Sequence, residues 1–137
     1  MMNSKIKALV SYRLEQVDES LDAARILLEQ NLTRTSVNRS YYAMFYAVLA
    51  LLATRKQETS KHSGAISLFD KEFVKTGMFK IEFSRWLHDA FDLRQRSDYT
   101  AQVQVSKEEA SQMLGQAKAF VAGVKSKLME EWRTIAP

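Results

Sequence analysis

The only proline in this chain of 137 residues is the last one, Pro137, and the only glycines are Gly64, Gly77, Gly115 and Gly123. An all-β fold needs a turn signal every ten residues or so, and these few breakers cannot supply one. Long helices remain, and the apolar spacing supports them. Over residues 5–30, Val10, Leu14, Val17, Leu21, Ala24 and Leu28 step by four and three alternately, the pattern of a helix with one buried stripe. Residues 31–33 read as a turn, with Thr33 or Thr35 placed to accept a hydrogen bond from the free amides of the next helix. That second helix extends to Thr54, and because residues 41–52 are apolar on every side it is expected to be the central one.

Residues 55–63 are polar and aperiodic and read as a loop, with Ser63 a candidate cap for a short third helix to about residue 74, closed by Gly77. Residues 79–93 place Phe83, Trp86, Leu87, Ala90 and Leu93 at helical spacing; residues 96–105 lose the period. Ser106 and Glu109 then form a capping box that opens a fifth helix, whose core stripe is Met113, Ala117, Phe120, Val124 and Leu128. Beside that stripe run Gly115, Ala119, Ala122 and Gly123. Glycine inside a helix costs about 1 kcal/mol relative to alanine, so the pair points to a close approach of another backbone, as at a dimer contact; the structural alternative is that both are merely tolerated or pack inside the monomer. The expectation is an all-α fold: one domain over residues 1–137, an antiparallel up-and-down bundle of four long helices plus a short one.

With 46% hydrophobic and 26% charged residues the chain can bury a core, which excludes intrinsic disorder. The absence of cysteine excludes disulfides, thiol catalysis and thiolate metal sites. No apolar segment follows Met1, and the longest apolar run, residues 43–53, is about eleven long against the roughly 20 a membrane span requires. A cytoplasmic location with no membrane partner is therefore expected. The net charge of +4 permits an anionic partner. Arg34, Arg39, Arg55, Lys56, Lys61, Arg85, Arg94 and Arg96 crowd the middle, while acids punctuate both terminal thirds, so the centre is the anion-facing part.

Catalytic templates are mostly missing. There is no glycine-rich phosphate loop and no nucleophile elbow, and the two histidines, His62 and His88, cannot build a histidine-rich metal site from one chain. No metal or cofactor is expected. What stands out is a basic and aromatic set: Asn38-Arg39-Ser40-Tyr41-Tyr42-Ala43-Met44-Phe45, then Lys61-His62-Ser63-Gly64, then Arg94-Gln95-Arg96-Ser97-Asp98-Tyr99. Arginine offers a planar fork to phosphate and tyrosine a ring for a base, a combination that suits RNA or a nucleotide. Each piece also has a structural reading. Arg39 can neutralise Asp89 or Asp92, the tyrosines can be core rings with a wet hydroxyl, Lys61 and His62 can be solvated, and His88 a half-buried structural histidine. For Arg94, Arg96, Asp98 and Tyr99 the alternative is a local ion pair at a helix end.

The Asn-Arg-Ser-Tyr-Tyr-Ala-Met-Phe block, Lys61-His62 followed by an apolar helix ending near Gly77, and Asp92-Leu93-Arg94 leading to Asp98-Tyr99 together resemble the HEPN domain family, over about residues 5–130. The resemblance implies a helical bundle forming a homodimer, paired with a minimal nucleotidyltransferase in toxin–antitoxin-type modules, and often a metal-independent ribonuclease. In the active branch of that family an arginine is followed four to six residues later by a histidine at a site paired across the dimer. Arg94 matches the arginine, but Asp98 and Tyr99 stand where the histidine belongs. Tyrosine, with an ordinary pKa of about 10, and aspartate, at about 3.9, are both poor bases near neutrality. His62 or His88 would have to reach the site from another helix or the other subunit. The resemblance also implies that in some relatives a tyrosine near this motif is nucleotidylated by the partner enzyme; Tyr99 lies at the motif but not two places past a histidine.

On this reading Arg94, Asp98 and Tyr99 are the candidate catalytic residues, and Arg39, Tyr42, Lys61, His62 and Arg96 the candidate nucleotide- or RNA-binding residues, in a dimer joined through a polar face that includes the turn at 94–99. The alternatives are a non-catalytic nucleotide-binding or docking subunit for the nucleotidyltransferase, and a helical adaptor that recognises protein only.

Overall fold

The computed structural model describes residues 3–99 and 104–135, apart from the side chains of Tyr99 and residues 133–135. It contains five α-helices: α1 (Ser4–Glu29), α2 (Thr33–Thr54), α3 (His62–Phe69), α4 (Ile81–Tyr99) and α5 (Lys107–Ile135). A single π turn, Asp70–Val74, follows α3 directly. No strand occurs among the described residues.

α1 and α2 form an antiparallel hairpin through a tight turn in which Asn31 takes a left-handed backbone, φ 63°. Asparagine tolerates that conformation better than most residues. On α1, Val10, Val17 and Ala24 are buried, with Leu14, Leu21 and Leu28 packed at the flanks, as the spacing predicts. α2 is the hub and touches α1, α3, α4 and α5. From Tyr41 to Thr54 every residue except Tyr42, Tyr46 and Leu49 is buried, so the all-round apolar run does mark the central helix.

Three local expectations are corrected. Neither Thr33 nor Thr35 caps α2: the helix begins after Leu32 with no side-chain cap, and the Thr33 hydroxyl donates instead to the Val105 carbonyl (2.7 Å), tying the start of α2 to the approach of α5. Ser63 does not cap α3, which begins at His62. The third correction matters for the site, because α4 runs to Tyr99 and the segment read as a turn is helix. Its buried stripe, Leu87, Ala90 and Leu93, continues into Ser97, which is 1% exposed, and a serine at a core position hides the period from a hydropathy reading. Arg34 donates to the Ser97 carbonyl, one of the terminal acceptors that a helix leaves unpaired.

The capping box is present. The Glu109 amide donates to Ser106 Oγ (3.0 Å), and the Ser106 amide to Glu109 Oε1 (3.4 Å). The small-residue strip of α5 divides. Gly123 faces inward, where a Cβ would lie 2.6 Å from the Phe83 ring, whereas a Cβ on Gly115 would meet nothing within 4 Å. The close approach is thus a ring within the monomer. Gly123→Ala is expected to lower stability by about 1–2 kcal/mol, overpacking outweighing the helix propensity it gains. Gly115→Ala should raise it by up to about 1 kcal/mol. Urea titration of both variants checks this, and equal effects would contradict it.

Candidate functional site

The exposed stripe of α2 defines the site. Asn38, Tyr42 and Tyr46 follow one another at intervals of four, so they share a helix face, and with Arg39 and Leu49 they are the residues between Ser36 and Thr54 that are only partly buried. α4 brings Arg94 and Asp98 against this stripe, also one turn apart, because the helix continues through them. α3 contributes His62 from its first turn.

Arg94 sits at the centre with a side chain only 14% exposed. Its Nε donates to Asp98 Oδ2 at 3.0 Å and its Nη2 to the Tyr42 hydroxyl at 3.3 Å, and its guanidinium carbon lies 5.3 Å from the Tyr42 ring and 5.5 Å from the Tyr41 ring. Asn38 Nδ2 donates to the same Asp98 oxygen at 3.3 Å, while Arg39 Nε donates to Asn38 Oδ1 at 3.2 Å. The Arg39 guanidinium lies 4.7 Å from the Tyr42 ring, so one phenol carries two cations. Such contacts are worth about 0.5–2 kcal/mol each, more as water is excluded, and they hold both arginines without neutralising them. Asp98 balances one of the two charges, leaving the cluster positive. Nη1 of Arg94 donates to no protein atom among the described residues.

His62 stacks on Phe45 with ring centroids 4.2 Å apart and planes at 11°, and its Nδ1 lies 2.6 Å from the Tyr41 hydroxyl. Burial holds the Tyr41 hydroxyl far above the ordinary tyrosine range, so it stays protonated. Its one hydrogen-bond partner among the described residues is His62, so a satisfied Tyr41 donates to Nδ1, which puts the imidazole proton on Nε2. Burial first, and then the charge of Arg94, pull the His62 pKa below its usual value, so the ring is neutral at neutral pH.

This shift has a pH consequence. An unfolded histidine gains its proton at about pH 6.5, whereas the folded one resists until lower pH. The unfolded state then binds more protons, so stability is full above that range and falls as the pH drops from about 6.5 through the folded value. The thermal midpoint of the wild type should therefore drop more steeply on mild acidification than that of His62→Gln. Parallel profiles would refute the assignment.

The structure thus gathers Arg39, Tyr42, His62, Arg94 and Asp98, and it separates two other candidates from them. Arg96 lies on the opposite side of α4 and lines a groove with Asp89, Asp92 and Glu109. Two residues along a helix are about 200° apart, so Arg94 and Arg96 cannot face one ligand. Lys61 is exposed and lines a different cavity, with Leu9, Arg13 and Leu49. The side chain of Tyr99 lies outside the described residues. Arg39 does not neutralise Asp89 or Asp92, and His62 is not simply solvated. His88 pairs with Asp70 (2.7 Å) with half its side chain exposed, in keeping with the half-buried structural residue expected, and makes no contact with the Arg94 cluster among the described residues. Two members, Asn38 and Tyr41, lie in the block that the sequence singles out but not among the candidate site residues. Asn38 was legible as the residue one turn before Tyr42, whereas the bond between Tyr41 and His62 has no sequence signal.

A model of the HEPN domain matches residues 10–127. The chain belongs to the HEPN domain family. Relatives of this HEPN protein match from about four-fifths to nearly all of its length. "Putative toxin MJ0142" of Methanocaldococcus jannaschii is 34% identical over 131 residues, covering 96% of this chain and 89% of that protein. "UPF0332 protein" of Thermotoga maritima is 36% identical over 130 residues, 95% and 97% of the two chains. "UPF0332 protein glr0978" of Gloeobacter violaceus is 39% identical over 109 residues, 79% and 86% of the two chains. Among the described residues of this HEPN protein no helix is long and apolar enough to cross a membrane.

Proposed function

We propose that this HEPN protein is the toxin-type member of a pair with a minimal nucleotidyltransferase, and that it acts in the cytoplasm by binding RNA or a nucleotide at the Arg94 site. Two copies of that site would face one another across a homodimer. The observation that carries the reading is Arg94 itself: a guanidinium clamped by Asp98, Tyr42 and two aromatic faces, with Nη1 free to meet a phosphate oxygen. Holding an arginine in place before the ligand arrives removes much of the ordering cost of binding. Arg39 adds a second cation one ring away, and the Nε2–H of neutral His62 adds a donor.

Cleavage of RNA without a metal requires a base for the ribose 2′ hydroxyl and an acid for the departing 5′ oxygen. Asp98 is engaged by Arg94 and Asn38, and His62 has its Nδ1 taken by Tyr41 and its proton on Nε2, so neither offers a free base. That arrangement favours a second reading, in which the protein binds without cutting and serves as a nucleotide-sensing or docking subunit for the nucleotidyltransferase. One experiment separates the two: expression with and without the nucleotidyltransferase, reading growth arrest and RNA integrity, beside oligoribonucleotide binding by the purified protein. Arrest with RNA loss that the partner suppresses supports the toxin; binding with intact RNA supports the subunit. Neither arrest nor binding would overturn both.

A further inference from the structure

Beside Arg39, between α1 and α2, lies a cavity of about 330 Å³ lined by Gln16, Glu19, Ser20, Ala23, Arg39 and Tyr46. It adjoins the Arg94 cluster through two shared contacts. Arg39 lies over the Tyr42 ring that also carries Arg94, and the Tyr46 ring is 5.7 Å from that of Tyr42. A phosphate at Arg94 and a ring at Tyr46 are therefore separated by the width of one aromatic side chain. The cavity is in the lower part of the size range of small-molecule pockets.

Its chemistry is not that of a second phosphate site. Glu19 is exposed and has no hydrogen-bond or ion-pair partner among the described residues, and a free carboxylate there repels an anion. Gln16 is oriented: Arg13 Nη1 donates to its Oε1 at 2.9 Å, which leaves the Gln16 amide group as a free pair of donors. The cavity thus offers an acceptor pair and a donor beside a half-buried aromatic face. A carboxylate beside a phosphate site is tolerated where the ligand brings neighbouring donors to it. Guanine does: its N1–H and N2–H point the same way and suit both carboxylate oxygens, while O6 accepts from an amide. Adenine and cytosine each present one donor on that edge, and uracil one.

We propose that this cavity reads a guanine base in single-stranded RNA, with Glu19 accepting from N1–H and N2–H, Gln16 donating to O6, and Tyr46 packing against the ring; this rests on the nucleotide-binding reading of the Arg94 site. The test measures anisotropy of labelled oligouridylates carrying one central guanine, adenine or cytosine. The wild type is expected to bind the guanine oligomer on the order of tenfold more tightly than the other two. Glu19→Gln should bring guanine down to the level of adenine and leave adenine unchanged or slightly improved. Glu19 is exposed, so this variant should fold as the wild type does. Equal binding of all three oligomers by the wild type, with Arg94→Ala still binding them on the order of a hundredfold more weakly, overturns the base-reading pocket and leaves the phosphate site standing. No binding of any oligomer overturns both.

Discussion

Replacing Arg94 with alanine is expected to weaken oligoribonucleotide binding on the order of a hundredfold and to abolish any growth arrest, while the helical circular dichroism remains. A hydrogen bond to a charged group contributes about 1.5–3 kcal/mol, and the loss of the Nη1 contact to phosphate, at the upper end of that range, accounts for a factor of this size. The change also frees Asp98, which then faces the ligand as an uncompensated carboxylate and adds repulsion. Arg94→Lys separates charge from geometry. Lysine keeps the cation but lacks the fork that bonds Asp98 and the ligand at once, so it should recover only part of the affinity. Arg96→Ala is the internal control: Arg96 lies across the helix among Asp89, Asp92 and Glu109, and its loss should change binding by less than about threefold, the effect of one screened charge. Arg94→Ala binding like the wild type, or Arg96→Ala binding as poorly as Arg94→Ala, would contradict the assignment.

The largest effect on stability is expected from Phe120→Ala, about 3–5 kcal/mol. Phe120 is fully buried on α5, with its ring centroid 5.3 Å from Phe69 and 5.5 Å from Phe83. It therefore joins three parts of the chain: α5, the end of α3, and the start of α4. A cavity there cannot be filled cheaply, because Phe69 is itself held between Phe73 and Phe79, and Phe83 already sits against Gly123. Denaturant unfolding measures the change. Met129→Ala on the same helix, at a side chain 55% exposed, should move stability by no more than about 0.5 kcal/mol. A loss below about 1 kcal/mol for Phe120→Ala would show that this aromatic cluster is not the core.

Much of the fold was legible because the signals are local. The stripe of α1, the all-round apolar half of α2 and the capping box of α5 each depend on residues within one or two turns, and each appears where the spacing puts it. The end of α4 was not legible, for a physical reason. Its last turn is held by burial of Ser97 and by the bond from Arg34, some sixty positions away in sequence, so no window around residue 97 contains the cause. The caps fail similarly: Thr33 has the right chemistry but spends its hydroxyl on Val105.

The site divides along the same line. Residue types and their blocks, together with the family they point to, came from sequence, and so did the departure at Asp98 from the arginine–histidine spacing. Which cations share a face did not. Arg94 and Arg96 look equivalent in a chain read as a loop, and only helix through Tyr99 sends them to opposite sides. Sequence by itself determined that this chain must be helical, where its central helix runs, and that its middle is basic and aromatic. Tertiary structure alone decided that His62 comes to the two tyrosines that hold Arg94, and that Asn38 of α2 reaches the Asp98 oxygen that Arg94 also bonds. Helical periodicity is written within a few residues, whereas a site joining three helices depends on distances that the intervening chain does not encode locally.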